Sequence, residues 1–233
     1  MKAGANIDMV GKVAAALGDL RNRVVFVGGA VVELYATDPA APAPRPTVDV
    51  DCIVQITSRR DYRRIERGLE KRGFRHDTSR GAPLCRWLCG ELAVDIMPTD
   101  ATLLGFANRW HVAGIDHKVQ YTLGAETSIG LLTPPYFVAS KLEALDNRGG
   151  ADWRGAPDFE DVVFIVHNRP ELPTEIGRAP EDVRNYLTAQ FANHLENATL
   201  REDVVSAVPP QLGARAVDEI LARMQEIAQS TSE

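Results

Sequence analysis

The stretch Thr47-Val-Asp49-Val-Asp51-Cys-Ile-Val constrains the fold more than any other part of the chain. Its β-branched residues alternate with acidic ones at a period of two, which belongs to a strand and cannot be an amphipathic helix. On a strand Asp49 and Asp51 share one face, while Val48, Val50 and Cys52 share the other. Two carboxylates side by side repel one another unless a cation lies between them. Hard oxygen donors at this spacing suit Mg²⁺, whose shell phosphate and water complete. Without the ion, neutralising either aspartate is expected to relieve repulsion. The competing reading is a D-x-D that falls by chance on an exposed strand edge.

A second segment repeats the pattern. In Leu92-Ala-Val94-Asp95-Ile96-Met, Asp95 is the one charge and faces away from Val94 and Ile96. Three carboxylates on neighbouring strands would form a two-metal clamp, one ion for the attacking oxygen and one for the leaving phosphate. Upstream, Phe26-Val27-Gly28-Gly29-Ala30 takes a buried strand into a helix. Paired glycines allow close backbone approach, and a helix start offers free N–H groups to an anion such as a triphosphate. A tight turn is the plainer reading of the two glycines.

Around these motifs, periodicity places helices at 6–20, 30–35, 59–72 and 101–108, and strands at 24–27, 48–56, 85–88 and 91–97. The four prolines of Thr37–Pro46 mark a surface loop. A strand-rich connection runs through Gly130, and Thr133-Pro-Pro then opens helices at 134–146, 158–167, 181–196 and 215–228. The expected architecture is α/β (α+β): a mixed sheet with flanking helices over residues 1–115, then a mainly helical domain over 116–233 that completes a nucleotide cleft. The boundary falls within 98–132.

Lys141 lies within the apolar stripe of its helix, among Phe137, Val138, Leu142 and Leu145. It must snorkel out or meet an anion. On the next helix Asp161 sits amid Phe159, Val162 and Val163 and needs a partner, for which Lys141 is the candidate. Asp158 shares its face, and helix capping explains that residue equally well.

Bulk properties narrow the class. A chain of 233 residues with 45% hydrophobic and 25% charged content can bury one good core, or one core plus a small satellite domain. No run of eighteen apolar residues occurs, and the N-terminus does not read as a signal peptide. Three cysteines suit a cytoplasmic setting. Cys85 and Cys89 lack the further ligands of a zinc site and read as buried thiols. The net charge of −6 argues against a nucleic-acid coat, yet residues 59–75 carry eight basic side chains against Asp61, Glu66 and Glu70, hence +5 against −11 elsewhere. A solvated outer helix is the favoured reading of that run, a phosphate grip the alternative.

Taken together, a glycine turn, D-x-D on the next strand and a third Asp on a later one resemble the nucleotidyltransferase (polymerase-beta-like) superfamily. Leu131-Leu-Thr-Pro-Pro-Tyr-Phe-Val-Ala-Ser-Lys141-Leu-Glu-Ala-Leu, then Asn147-Arg-Gly and Asp158-Phe-Glu-Asp161-Val-Val, looks like the AbiEii/AbiGii toxin-type group and its uncharacterised relatives. The resemblance spans roughly residues 24 to 170. It implies an enzyme of the EC 2.7.7 type in which Asp49, Asp51 and Asp95 are catalytic and hold two Mg²⁺. Gly28, Gly29, Thr47, Lys141 and Asp161 would bind the NTP. The implied acceptor is RNA such as tRNA, and an antitoxin protein is an implied partner. A small hydroxyl compound as acceptor, or a binding module with a vestigial site, are the alternatives. Two departures stand out: nineteen residues separate Gly29 from Asp49, and Gly29 replaces a serine common in the superfamily.

Overall fold

The computed structural model describes residues 4–56, 58–105, 107–124, 127–147 and 153–230. Phe106, and the Arg148 and Gly149 of the Asn-Arg-Gly motif, lie outside the described residues. The chain divides into two compact units, Met1–Glu33 with Arg45–Thr133 and Leu34–Pro44 with Pro134–Glu233.

The first unit is built on a seven-stranded mixed sheet. In chain order its strands are β1 (Val24–Val27), β2 (Asp49–Val54), β3 (Arg75–His76), β4 (Arg86–Cys89), β5 (Leu92–Pro98), β6 (Val119–Leu123) and β7 (Thr127–Leu131). Their spatial order is β3-β4-β5-β2-β1-β7-β6. β2 runs parallel to β5 and β1 parallel to β7, and the other pairs are antiparallel. The central strands are rich in Val and Ile, and Val50, Cys52, Val94 and Ile96 are wholly buried, as expected for strands covered by helices.

Helix α1 (Ala5–Leu17) buries Val10, Val13, Ala14 and Leu17, the i, i+3, i+4, i+7 stripe of an amphipathic helix, and packs on β7, β2 and β5. Its expected continuation to Leu20 tightens at Gly18 into a 3₁₀ segment, Gly18–Arg23. Helix α2 (Arg59–Glu70) starts at Ser58, whose hydroxyl accepts from the Asp61 N–H, and turns Ile65 and Leu69 inward. The expected helix at 101–108 is the single turn α3 (Ala101–Leu104), stopped by Gly105 in the left-handed region. A separate helix, α4 (Trp110–Asp116), follows it.

The second unit is helical: α5 (Pro134–Asn147), α6 (Pro157–Asn168), α7 (Leu172–Gly177), α8 (Glu181–Leu195), α9 (Leu200–Ala207) and α10 (Gly213–Ala228). α10 packs against α6, α7, α8 and α9 through Ala216, Val217, Ile220, Met224 and Ile227. The proline-rich segment joins this unit by satisfying its backbone there. Thr37 and Asp38 donate their N–H groups to the Asn168 carbonyl, Arg169 donates to the Tyr35 carbonyl, and the Tyr35 ring lies against Phe137. Among the described residues, no helix is long and apolar enough to cross a membrane.

Candidate active site

Strand register assembles the site. β2 and β5 run parallel with Asp51 opposite Asp95, and β4 runs antiparallel to β5 with Arg86 opposite Asp95. Directly paired residues on neighbouring strands point to the same face. Arg86, Asp95 and Asp51 therefore form one row across three strands, with Asp49 two positions along β2. The alternation read from the sequence places all three aspartates on a common face. Val48 departs from that reading: ladder pairing begins at Asp49, so Val48 precedes the strand and is 83% exposed.

The carboxylates differ in what they touch. Asp95 accepts two hydrogen bonds from Arg86, from Nε at 2.8 Å and from Nη2 at 2.8 Å, and the same Nη2 reaches Asp49 at 2.7 Å. This guanidinium supplies the cation that like charges on one face require, and sequence reasoning missed it. The signal was present in Leu84-Cys-Arg86-Trp-Leu-Cys89, where one charge interrupts an apolar run, although Arg86 opens β4 and Asp95 lies within β5. The hydrogen bonds to Asp95 first, then the Asp95 and Asp49 charges, outweigh partial burial and hold Arg86 more firmly protonated than an ordinary arginine. The other oxygen of Asp49 accepts from the Thr47 hydroxyl at 3.0 Å. Thr47 is held in turn by its N–H to the Asn6 side chain, whose amide donates to the Arg45 carbonyl. Asn6, buried on α1, thus orients Thr47 and through it Asp49. It is a second residue that the sequence did not point to.

Asp51 lies against the glycine turn. Gly28 has φ of 75°, and a Cβ built there would collide with the Asp51 carboxylate. Only glycine serves both the left-handed backbone and the space for that side chain. The helix after it is a 3₁₀ segment, Gly29–Tyr35.

Magnesium asks for oxygen donors in a near-octahedral array at about 2.0–2.1 Å. The donors are of the right kind, and the backbone sets all three on one face. As the side chains stand, no group of three metal-binding side chains converges among the described residues, since Asp49 and Asp95 turn to the guanidinium. The backbone placement fits the ion, and the present side-chain directions fit Arg86.

The thiols are spectators. Burial, then the Asp51 and Asp95 charges, pushes Cys52 up, and burial followed by the Asp95 charge pushes Cys85 to about 11. Cys52 and Cys85 are buried and free, while Cys89, expected to be buried too, is half-exposed at the end of β4.

In the second unit Lys141 does not snorkel. Its ammonium is buried and meets Asp161 at 2.6 Å and Asp158 at 3.1 Å. Burial lowers its pKa, but the Asp161 and then the Asp158 charges more than reverse that. Asp158 is not the cap of α6, since Ala156 holds that position with Pro157 in the first turn.

No protein-family model matches the chain, and no curated protein matches it. Solved structures that resemble it include JHP933 from Helicobacter pylori and a candidate nucleotidyltransferase from H. pylori. Each has a TM-score of 0.49 and 11% identity over 97% of this chain, covering 93% and 96% of theirs respectively.

Proposed function

We propose that this chain is a magnesium-dependent nucleotidyltransferase that moves a nucleoside monophosphate from an NTP to an acceptor. One observation carries the reading: Asp49, Asp51 and Asp95 stand on one sheet face of two adjacent parallel strands in register. An apolar core does not ask for three carboxylates there, and the motif order resembles that of the superfamily. Asp49, Asp51 and Asp95 would hold the ions, which neutralise triphosphate charge and make an acceptor hydroxyl easier to deprotonate. Thr47 and Asn6 fix the direction of Asp49, and Gly28 leaves room for Asp51.

The glycine turn and Thr47 are proposed to line the NTP site. Lys141 and Asp161 enter this reading as an ion pair, so a phosphate oxygen reaching the ammonium must compete with two carboxylates. RNA is the proposed acceptor, supported by the toxin-type resemblance and by a basic run, Arg59 to Arg75, whose eight cationic side chains are all exposed. The same resemblance extends the proposal to an antitoxin that holds the enzyme inactive.

The test is incubation of the pure protein with each labelled NTP, Mg²⁺, total RNA and cell extract. Label should enter the RNA pool with the wild type and stay at background with Asp51→Asn. Label in a small-molecule fraction would move the acceptor to the hydroxyl-compound class. Wild-type turnover by Asp51→Asn would end the transferase reading of these carboxylates.

A further inference from the structure

Arg86 is not accounted for by the transferase reading. It rises from β4 directly opposite Asp95 and binds that carboxylate through two nitrogens. It then spans to Asp49 on the strand beyond, so one guanidinium ties two of the three acidic groups. Two-point contact with a planar carboxylate is the geometry arginine makes best. Contact with water weakens an ion pair and lets its partners exchange. Here the Arg86, Asp49 and Asp95 side chains retain 22%, 25% and 10% of their exposure. Solvent therefore reaches the guanidinium.

We propose that Arg86 is the resident cation of the site and competes with divalent ions for Asp49 and Asp95. The inference rests on the reading of those carboxylates given above. A guanidinium on both groups occupies acceptor oxygens that a divalent ion would use and repels its charge. Metal alone must therefore displace Arg86 at a loss, and binds weakly. A triphosphate changes the balance, because its oxygens offer the released guanidinium new acceptors while supplying ligands to the ion. Arg86 thereby links metal binding to nucleotide binding. It is a positioning residue with no part in bond making.

The probe is Mn²⁺, followed by the loss of its free paramagnetic resonance signal. Arg86→Gln should bind Mn²⁺ alone at least tenfold more tightly than the wild type, and melt at a lower temperature in the metal-free state. With the Mn²⁺ that the analogue chelates in protein-free solution subtracted, a non-hydrolysable NTP should tighten Mn²⁺ binding in the wild type several times more than in the variant. Arg86→Lys, which keeps the charge without the two-point geometry, should fall between. The wild type gives a check that needs no altered protein to fold: the Arg86 Nε–H resonance should shift and lose exchange protection as Mg²⁺ and the analogue are added. Equal Mn²⁺ affinity in wild type and Arg86→Gln, or an unmoved Nε–H resonance in protein that has bound the ion, would overturn the competition and leave the transferase reading standing. Absence of Mn²⁺ binding in every form, analogue included, would overturn both.

Discussion

The two units each hold one cation between two carboxylates, and the two clusters are not alike. Lys141 with Asp158 and Asp161 is closed off, its side chains retaining 9%, 8% and 1% of their exposure. Arg86 with Asp49 and Asp95 is partly open. A sealed pair is committed, because removing either charge strands the other in a medium that cannot solvate it. A half-open pair can exchange partners, since water solvates what is released. The same count of charges therefore makes a fastener of α5 to α6 that is costly to open in one unit and an exchangeable site in the other.

The largest effect should follow from breaking the sealed cluster. Lys141→Met leaves two buried carboxylates without their cation and should cost about 3–5 kcal/mol in urea unfolding. A loss below about 1 kcal/mol would mean that the cluster is more open than its burial implies. The variant should also weaken binding of a non-hydrolysable NTP in calorimetry if the proposed nucleotide role of Lys141 holds.

Acid offers a second way into the helical unit. Burial depresses His194 to about 4, so it stays neutral in the fold while the unfolded chain takes up a proton near 6.5. Its contribution is complete above pH 6.5 and declines as pH falls from 6.5 toward 4, by about 3 kcal/mol in all. Unfolding free energies at pH 7 and pH 4.5 should differ less in His194→Gln than in the wild type. An unchanged difference would remove His194 from the acid response.

The open cluster should respond more mildly and with a sign opposite to the expectation from sequence. Like-charge repulsion on β2 would have Asp49→Asn stabilise the metal-free protein. With Arg86 already between Asp49 and Asp95, the substitution removes a charge-assisted hydrogen bond and should destabilise by about 1–2 kcal/mol. A rise in melting temperature would show that the guanidinium contact does not persist in solution.

Fully exposed charge marks the far end of the series. Replacing Arg60, Arg64 and Arg67, all exposed on α2, should shift stability by no more than about 0.5 kcal/mol. If RNA is the acceptor, the log–log salt slope of its binding should flatten by up to about two units. Wild-type salt dependence in the triple variant would make α2 a solvated face.

The aspartates could be read from sequence because their signal is local: period-two alternation sets the face, and an isolated charge in an apolar strand is conspicuous. Lys141 and Asp161 were legible for the same reason, as charges inside helical apolar stripes. The partnership of Arg86 was not, because it depends on the antiparallel register of β4 on β5, and register is a pairing between segments. Asn6 was hidden more deeply. Its meaning comes from contact with residues 45 and 47, which nothing in the helix pattern of α1 suggests. The grouping of residues 34–44 with the helical unit was equally invisible, since it interrupts the chain order of the first unit.

The sheet order carries a consequence for synthesis. β2 and β5 can pair once the ribosome has released residue 98, but Phe26 on β1 meets Leu131 on β7 about a hundred residues after its own emergence. At about 5–20 residues per second, one edge of β1 waits roughly 5–20 s for its neighbour. During that interval Val24-Val-Phe-Val presents unpaired N–H and C=O groups in an apolar strand, the sort of edge that recruits other chains. The acidic face is thus laid out early, while the nascent chain still carries a sticky margin. Yield in a cell should depend on how fast translation reaches β7 and on what covers β1 until it does.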